Sequence, residues 1–302
     1  MNKSAQVSGA SAPLKTRKKS FFFAPRGDST FKRILIHTAL LIYCVISVYP
    51  VLRILSVSLR PGDRLLSTDL SLIPADATLE SFRIVLFEKP LLTWLWNSIA
   101  ITTATAVIGV ILAATSAYAF SRFKFPGRSV GLVFLLTTQM IPASMLMVPI
   151  YILAIKLGML GSYRGLVIAY AVTAVPFSIW ILKGYYDTIP IDLEEAARID
   201  GCSEMQAFLQ ILLPLSTPAL AIVFLFNFTQ AWNDYLVARV ILGSQEALLT
   251  WPLGLQRLNS QFTTQWGQFA AASVLVAIPV MALFLYTSKY LISGLTLGSV
   301  KG

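Results

Sequence analysis

The chain has 302 residues, 56% hydrophobic and only 13% charged, with a mean hydropathy of +0.71. Soluble domains carry roughly a quarter charged residues, so an ordinary water-soluble domain is excluded. The net charge of +10 would suggest nucleic acid in a soluble protein, but here the excess precedes the first apolar run. Lys3, Lys15, Arg17, Lys18, Lys19, Arg26, Lys32 and Arg33 face the single acid Asp28. A basic flank of this kind retains the N-terminus of a membrane chain in the cytoplasm, and no nucleic-acid module follows it. Cys44 and Cys202 are the only cysteines and His37 the only histidine. Their separation argues against a disulfide framework and against a metal cluster.

Residues 1–31 read as a flexible Ser/Ala/Lys-rich leader, too long and polar for a cleaved signal peptide. The first apolar span is expected at about 34–58, since roughly twenty apolar residues cross a bilayer as a helix. Residues 60–92 are turn-rich, with Pro61-Gly62, Pro74 and Pro90 and nearly balanced charge, as suits an external loop. A second span at about 93–120 is framed by Trp94 and Trp96 at one end and Tyr118 and Phe120 at the other, the interfacial aromatic pattern. The following Ser121-Arg-Phe-Lys-Phe-Pro-Gly-Arg128 turn is basic and therefore cytoplasmic. Third and fourth spans fall at about 129–152, with Gln139, Pro142 and Pro149, and 164–183, with Pro176.

Between the fourth and fifth spans lies a polar, strongly punctuated segment, about 186–215. Asp192 is placed to cap a helix with Glu195 at its third position, and Gly201 to end it in a left-handed turn. Ser203 with Gln206 predicts the capping box of a second helix, closed by Pro214. Ala196 and Ala197 leave one face of the first helix nearly bare, beside Glu194, Glu195, Arg198 and Asp200. On grammar alone this is either a solvated hairpin or a docking element.

The fifth span, about 217–242, carries Asn227, Gln230, Asn233 and Asp234. Asn227, Gln230 and Asp234 stand at i, i+3 and i+7, so they share one helical face. Polar groups are costly against lipid, so this face is expected to line a wet cavity or to bond neighbouring helices. Gln139 of the third span is a further candidate for the same path. Residues 243–267 form an external loop rich in aromatic and Gln residues, and a sixth span at about 268–291 leads to the tail at 293–302. Six spans put both ends in the cytoplasm. No Walker-type nucleotide motif and no soluble G-x-G-x-x-G fold is present.

Glu195-Ala-Ala, three residues, Gly201, nine residues and Ile211-Leu-Leu-Pro214 is a pattern that resembles the EAA loop of ABC importer permeases. Cys202 stands where a small residue such as Ala is usual. The Ala117-Tyr-Ala-Phe-Ser-Arg-Phe-Lys-Phe-Pro-Gly127 passage and the ending Gly294-Leu-Thr-Leu-Gly-Ser-Val-Lys-Gly302 resemble carbohydrate importers, notably the second permease of the maltose/maltodextrin type. The resemblance covers residues 33–302. It implies an all-α membrane protein: six transmembrane helices of a type I ABC importer permease with a cytoplasmic EAA docking loop. It implies as partners a second, different permease, two ABC ATPase subunits that bind ATP and Mg, and an extracytoplasmic binding protein. The chain itself then needs no cofactor and does no catalysis, and it resides in the bacterial inner membrane.

The resemblance further implies that Glu194, Glu195, Ala196, Ala197, Asp200, Gly201 and Pro214 dock the ATPase. It also implies that the 243–267 loop reaches the binding protein and that the tail inserts between the ATPases. Gln139, Asn227, Gln230, Asn233 and Asp234 are the candidate translocation path for a di- or oligosaccharide. Alternatives are a permease for glycerol phosphate or an acidic oligosaccharide, or an ion-coupled secondary transporter.

Overall fold

The computed structural model describes residues 30–61, 71, 73–259 and 265–297. The basic leader up to residue 29, residues 260–264 of the loop expected to be external and residues 298–302 of the tail lie outside the described residues. The described chain is helical, with four helices long and apolar enough to cross a membrane, or up to six if each of two bent pairs is one span.

Helix α1, Thr30–Ser58, carries Pro50 within its length. Residues 1–53 form one unit and residues 54–302 another. The described side chains of the first unit are mostly apolar and almost all exposed, Ile34, Leu41, Tyr43 and Val51 among them. In the second unit, α2 (Glu80–Phe87) precedes α3 (Leu91–Arg122), the helix with the most buried surface. Helix α3 packs on α6 (Tyr163–Tyr186) and α10 (Thr217–Asn233), and α10 also packs on α13 (Trp266–Leu297). Ser162 caps α6, accepting a hydrogen bond from Gly165 N at 3.2 Å.

The expected third span is not straight. Helices α4 (Arg128–Thr138) and α5 (Ala143–Lys156) are bent by 99° across Gln139–Pro142. Pro142 has no N–H to continue the ladder from Thr138, so the helix stops there. The Ile141 amide turns back to Thr138 O at 3.4 Å, and Gln139 ties the corner to α6 by donating from Nε2 to Thr173 O at 3.0 Å.

The fifth span also differs from expectation. Pro214 does not close the second docking helix, which continues to Leu215 as α8 (Glu204–Ala207), a π turn (Phe208–Leu212) and α9 (Leu213–Leu215). A proline ring clashes with the carbonyl four residues earlier, and the chain widens into the π turn directly before Pro214. It then bends by 78° into α10. Pro218 cannot donate to the Pro214 carbonyl, and the Thr217 hydroxyl does so instead at 2.7 Å. At its far end α10 stops at Asn233, Asp234 is extended, and α11 (Leu236–Leu242) follows.

Three helices meet at Asn227, which is fully buried. The Ser178 hydroxyl of α6 donates to Asn227 Oδ1 at 2.9 Å. A Cβ on Gly109 of α3 would stand 2.6 Å from Asn227 Nδ2, so only glycine permits this approach. Gly109→Ala should therefore destabilise the bundle by about 1–3 kcal/mol, the usual effect of overpacking. Thermal unfolding of the purified transporter in detergent checks this, and an unchanged midpoint would contradict the packing.

Candidate functional site

Two sites emerge, a hairpin between α6 and α10 and a cavity beside α10. The hairpin begins with α7, Asp192–Ile199. Ile191, not Asp192, occupies the N-cap position, and no side chain caps the helix. Asp192 is the first helical residue, where with Glu194 and Glu195 it complements the positive end of the helix dipole. Gly201 ends the helix at φ +93°, with open space around its Cα. Ser203 and Gln206 form the expected capping box, with bonds of 3.3 Å and 2.8 Å.

The residues expected to dock divide between two faces. Glu195, Ala196, Asp200, Gly201 and Pro214 are exposed. Glu194 and Ala197 are buried against the chain itself, so their side chains are not part of the outer face. Glu194, 2% exposed, pairs with Arg122 Nε at 2.6 Å. Arg122 also donates from Nη2 to Ile189 O at 3.0 Å. Next to it the Ser121 hydroxyl donates to Asp187 Oδ1 at 2.7 Å, and Lys183 pairs with the same carboxylate. Tyr118 stacks against Phe208 with ring centroids 4.7 Å apart. The C-terminal end of α3 is thus fastened to the root of the hairpin.

The outer face also carries apolar side chains: Ile199, 87% exposed, with Met205, Leu209 and Leu193. Sequence reasoning passed over them, although a large aliphatic residue inside the acidic Asp192–Asp200 stretch is itself a signal of a covered surface. Arg122 was likewise read only as cytoplasmic charge, because its partner lies 72 positions away.

The cavity, of about 690 Å³, lies between α10, the α4–α5 corner and α6, and is lined by Gln139, Asn227, Gln230 and Asp234 with Thr138, Tyr170 and Thr173. Four of the five path candidates thus share one space. Tyr170 OH donates to Asp234 Oδ1 at 3.0 Å, and Ala238 N donates to the same oxygen at 3.1 Å. Asn227 Nδ2 is buried without a hydrogen-bond partner among the described residues. Asn233 is not in this space. Its Nδ2 donates to Thr229 O, and it lines a separate apolar groove with Trp232, Trp251 and Phe284.

The described part of the 243–267 loop folds back onto α3. Asn97 Nδ2 lies 3.0 Å from both Ala247 O and Leu249 O, and Trp251 N donates to Ser98 Oγ at 2.8 Å. Helix α12 (Trp251–Leu258) places Gly254 on the Trp94 indole, where a Cβ would collide with the ring.

Residues 105–293 match the family model described as binding-protein-dependent transport system inner membrane component. The chain belongs to this family. It is 38% identical over 285 residues to the maltose/maltodextrin transport system permease protein MalG of Salmonella typhimurium, covering 88% of this chain and 95% of that one. It is 38% identical over 262 residues to the galactooligosaccharides transport system permease protein GanQ of Bacillus subtilis, covering 85% and 92%. A solved bacterial ABC transporter involved in the import of the acidic polysaccharide alginate superposes with a TM-score of 0.76 at 27% identity, covering 89% of this chain and 99% of that one. The chain is thus a multi-pass inner-membrane permease subunit of an ABC importer, a transport component and not itself a catalyst. Membership of this family implies an ATPase, a binding protein and a partner permease.

Burial alone would push the Asp187 carboxyl up, but hydrogen bonds from Lys183 and Ser121 and the nearby Arg128 charge outweigh it and hold it below the ordinary carboxylate range. A depressed folded pKa stabilises the protein above the unfolded value, and that contribution disappears as pH falls through the folded one. Asp187→Asn should accordingly flatten the acid side of the stability profile below about pH 4; an unaltered acid limb in thermal melts would contradict this.

Proposed function

We propose that this chain is the second permease of a heterodimeric importer for an uncharged di- or oligosaccharide of the maltose/maltodextrin class. It works with a different permease, two ABC ATPases and an extracytoplasmic binding protein, with both termini in the cytoplasm. The exposed face of the hairpin is the ATPase-docking surface, formed by Glu195, Ala196, Asp200, Gly201 and Ile199. Pro214 sets the exit angle of the hairpin, and Glu194 and Ala197 form its inner support. The observation that carries this reading is the exposure of Ile199, with Met205 and Leu209 nearby, on a charged hairpin. An apolar patch exposed to water marks a protein contact, and the family supplies an ATPase as the partner.

The cavity is the sugar path, and transport proceeds by alternating access, driven by the different affinities of ATP-bound and ATP-free partners for the two states. Its volume falls within the roughly 300–1,000 Å³ of small-molecule sites, and amides, hydroxyls and a carboxylate suit sugar hydroxyls. Its lining includes the Asp234 carboxyl and no basic side chain among the described residues. That balance favours a neutral sugar over the acidic oligosaccharide or glycerol phosphate that an importer of the same architecture could carry.

Pull-down of tagged chain in mild detergent should recover an ATPase and a second permease. Gly201→Asp should lose the ATPase, because a side chain at φ +93° strains the turn and intrudes on the contact. Retention of the ATPase by that variant would refute the docking surface. In reconstituted uptake, maltose, maltotriose and galactobiose should compete with one another and alginate trisaccharide should not. Gln230→Ala should weaken uptake of the transported sugar about tenfold, as expected for the loss of one hydrogen bond to it; unchanged uptake would remove Gln230 from the path.

A further inference from the structure

We infer that the buried Arg122–Glu194 pair is the linkage through which the docking hairpin moves the membrane core, making Arg122 a positioning residue for coupling. This rests on the reading of the hairpin as the ATPase-docking element. A partner that moves α7 can shift the cavity only through something that resists extension. The backbone path is indirect, since α6 and α10 reach the hairpin through Ile189 on one side and the Ser216 bend on the other. The Arg122 guanidinium bypasses both by holding Glu194 Oε1 at 2.6 Å and Ile189 O at 3.0 Å.

Both charges are nearly out of water, with side chains 10% and 3% exposed. Separating a pair in that setting leaves an uncompensated charge buried, which resists extension. Arg122 is the last residue of α3, and α3 packs on α6 and α10, two helices that wall the cavity. Thr105 of α3 itself lines that cavity. A displacement of α7 therefore reaches the cavity along one rigid helix. Ser121 and Asp187 form a second tie at the same place, which keeps α3 aligned with the end of α6. Glu194 is thereby set apart from Glu195: the first faces the core and transmits, the second faces outward.

The test uses the complete complex, with its ATPases and partner permease, in inside-out membrane vesicles. Cys44 and Cys202 are replaced by Ser, and Thr138→Cys at the cavity wall reports access to an impermeant maleimide from the cytoplasmic side. With the native pair, ATP plus vanadate should change the labelling rate. If it does not, while the ATPase co-purifies, the alternating-access reading fails and not the linkage. If no ATPase co-purifies, the docking reading fails.

The pair is then replaced together, Arg122→Met with Glu194→Met, which leaves no unpaired buried charge. The expected result is retained ATPase and retained ATP hydrolysis, with the ATP-dependent labelling change reduced about tenfold, the scale of a typical coupling energy. The reversed pair, Arg122→Glu with Glu194→Arg, should restore more of the change than either single reversal. A pair that served only to hold the fold would leave the labelling response of the assembled Met variant intact, and that outcome overturns the inference. Failure of both the Met and the reversed pairs to assemble would assign the residues to folding and would overturn it as well.

Discussion

Inside an apolar core every backbone group freed by a proline must find another partner, because water is not there to supply one. The shape of this bundle follows from how that is done. Thr217 answers the carbonyl that Pro218 cannot reach, and the chain bends by 78°. At the corner before Pro142 the Ile141 amide turns back to Thr138 O, Gln139 ties the corner to Thr173 of α6, and the chain bends by 99°. The extended residue Asp234 ends α10, and its carboxylate collects Tyr170 and the first free amides of α11. Each break leaves irregular backbone and polar side chains at membrane depth, where they are tolerated only if they are buried in protein or line a cavity. The breaks at Gln139 and Asp234 both open onto the same space. The cavity is therefore a consequence of the helix breaks and not an independent feature.

The second polar layer lies at the end of α3. Removing one partner of a buried ion pair typically costs about 3–5 kcal/mol, whereas replacing both can be neutral. Such a pair is a poor way to gain stability alone, and its location says more than its energy. It sits at the root of the hairpin, where Tyr118, Ser121 and Arg122 reach Phe208, Asp187 and Glu194. Stiffness is concentrated where a partner's motion would enter the membrane domain.

Sugar chemistry and membrane chemistry make compatible demands on α10. Asn227 is spent on the meeting of three helices, with Ser178 and Gly109, and this supports the bundle-bonding reading of that residue. Gln230 and Asp234 are left to the cavity. The same helix therefore joins the bundle with one amide and presents the next to the cavity. On its other wall Asn233 is satisfied by its own backbone, which leaves a groove of aromatic and aliphatic side chains.

Composition and local spacing determined the class of this protein. The apolar runs, the basic loop at Ser121–Arg128, the turn at Gly201 and the Ser203–Gln206 capping box are all set by neighbours within a few residues, and they are legible as written. The i, i+3 spacing of Asn227 and Gln230 was enough to put Gln230 on the cavity face, because a helix turns that spacing onto one side; Asp234 reaches the same cavity from the extended residue after α10, which its spacing did not show. Tertiary structure alone decided which of two adjacent glutamates faces inward, since Arg122 reaches Glu194 from 72 positions away. It alone decided that Pro214 would sit within a helix and that Pro142 would mark a sharp corner. A proline removes the same hydrogen bond in either place; before Pro214 the chain widens into a π turn and stays helical, whereas before Pro142 the helix ends at Thr138.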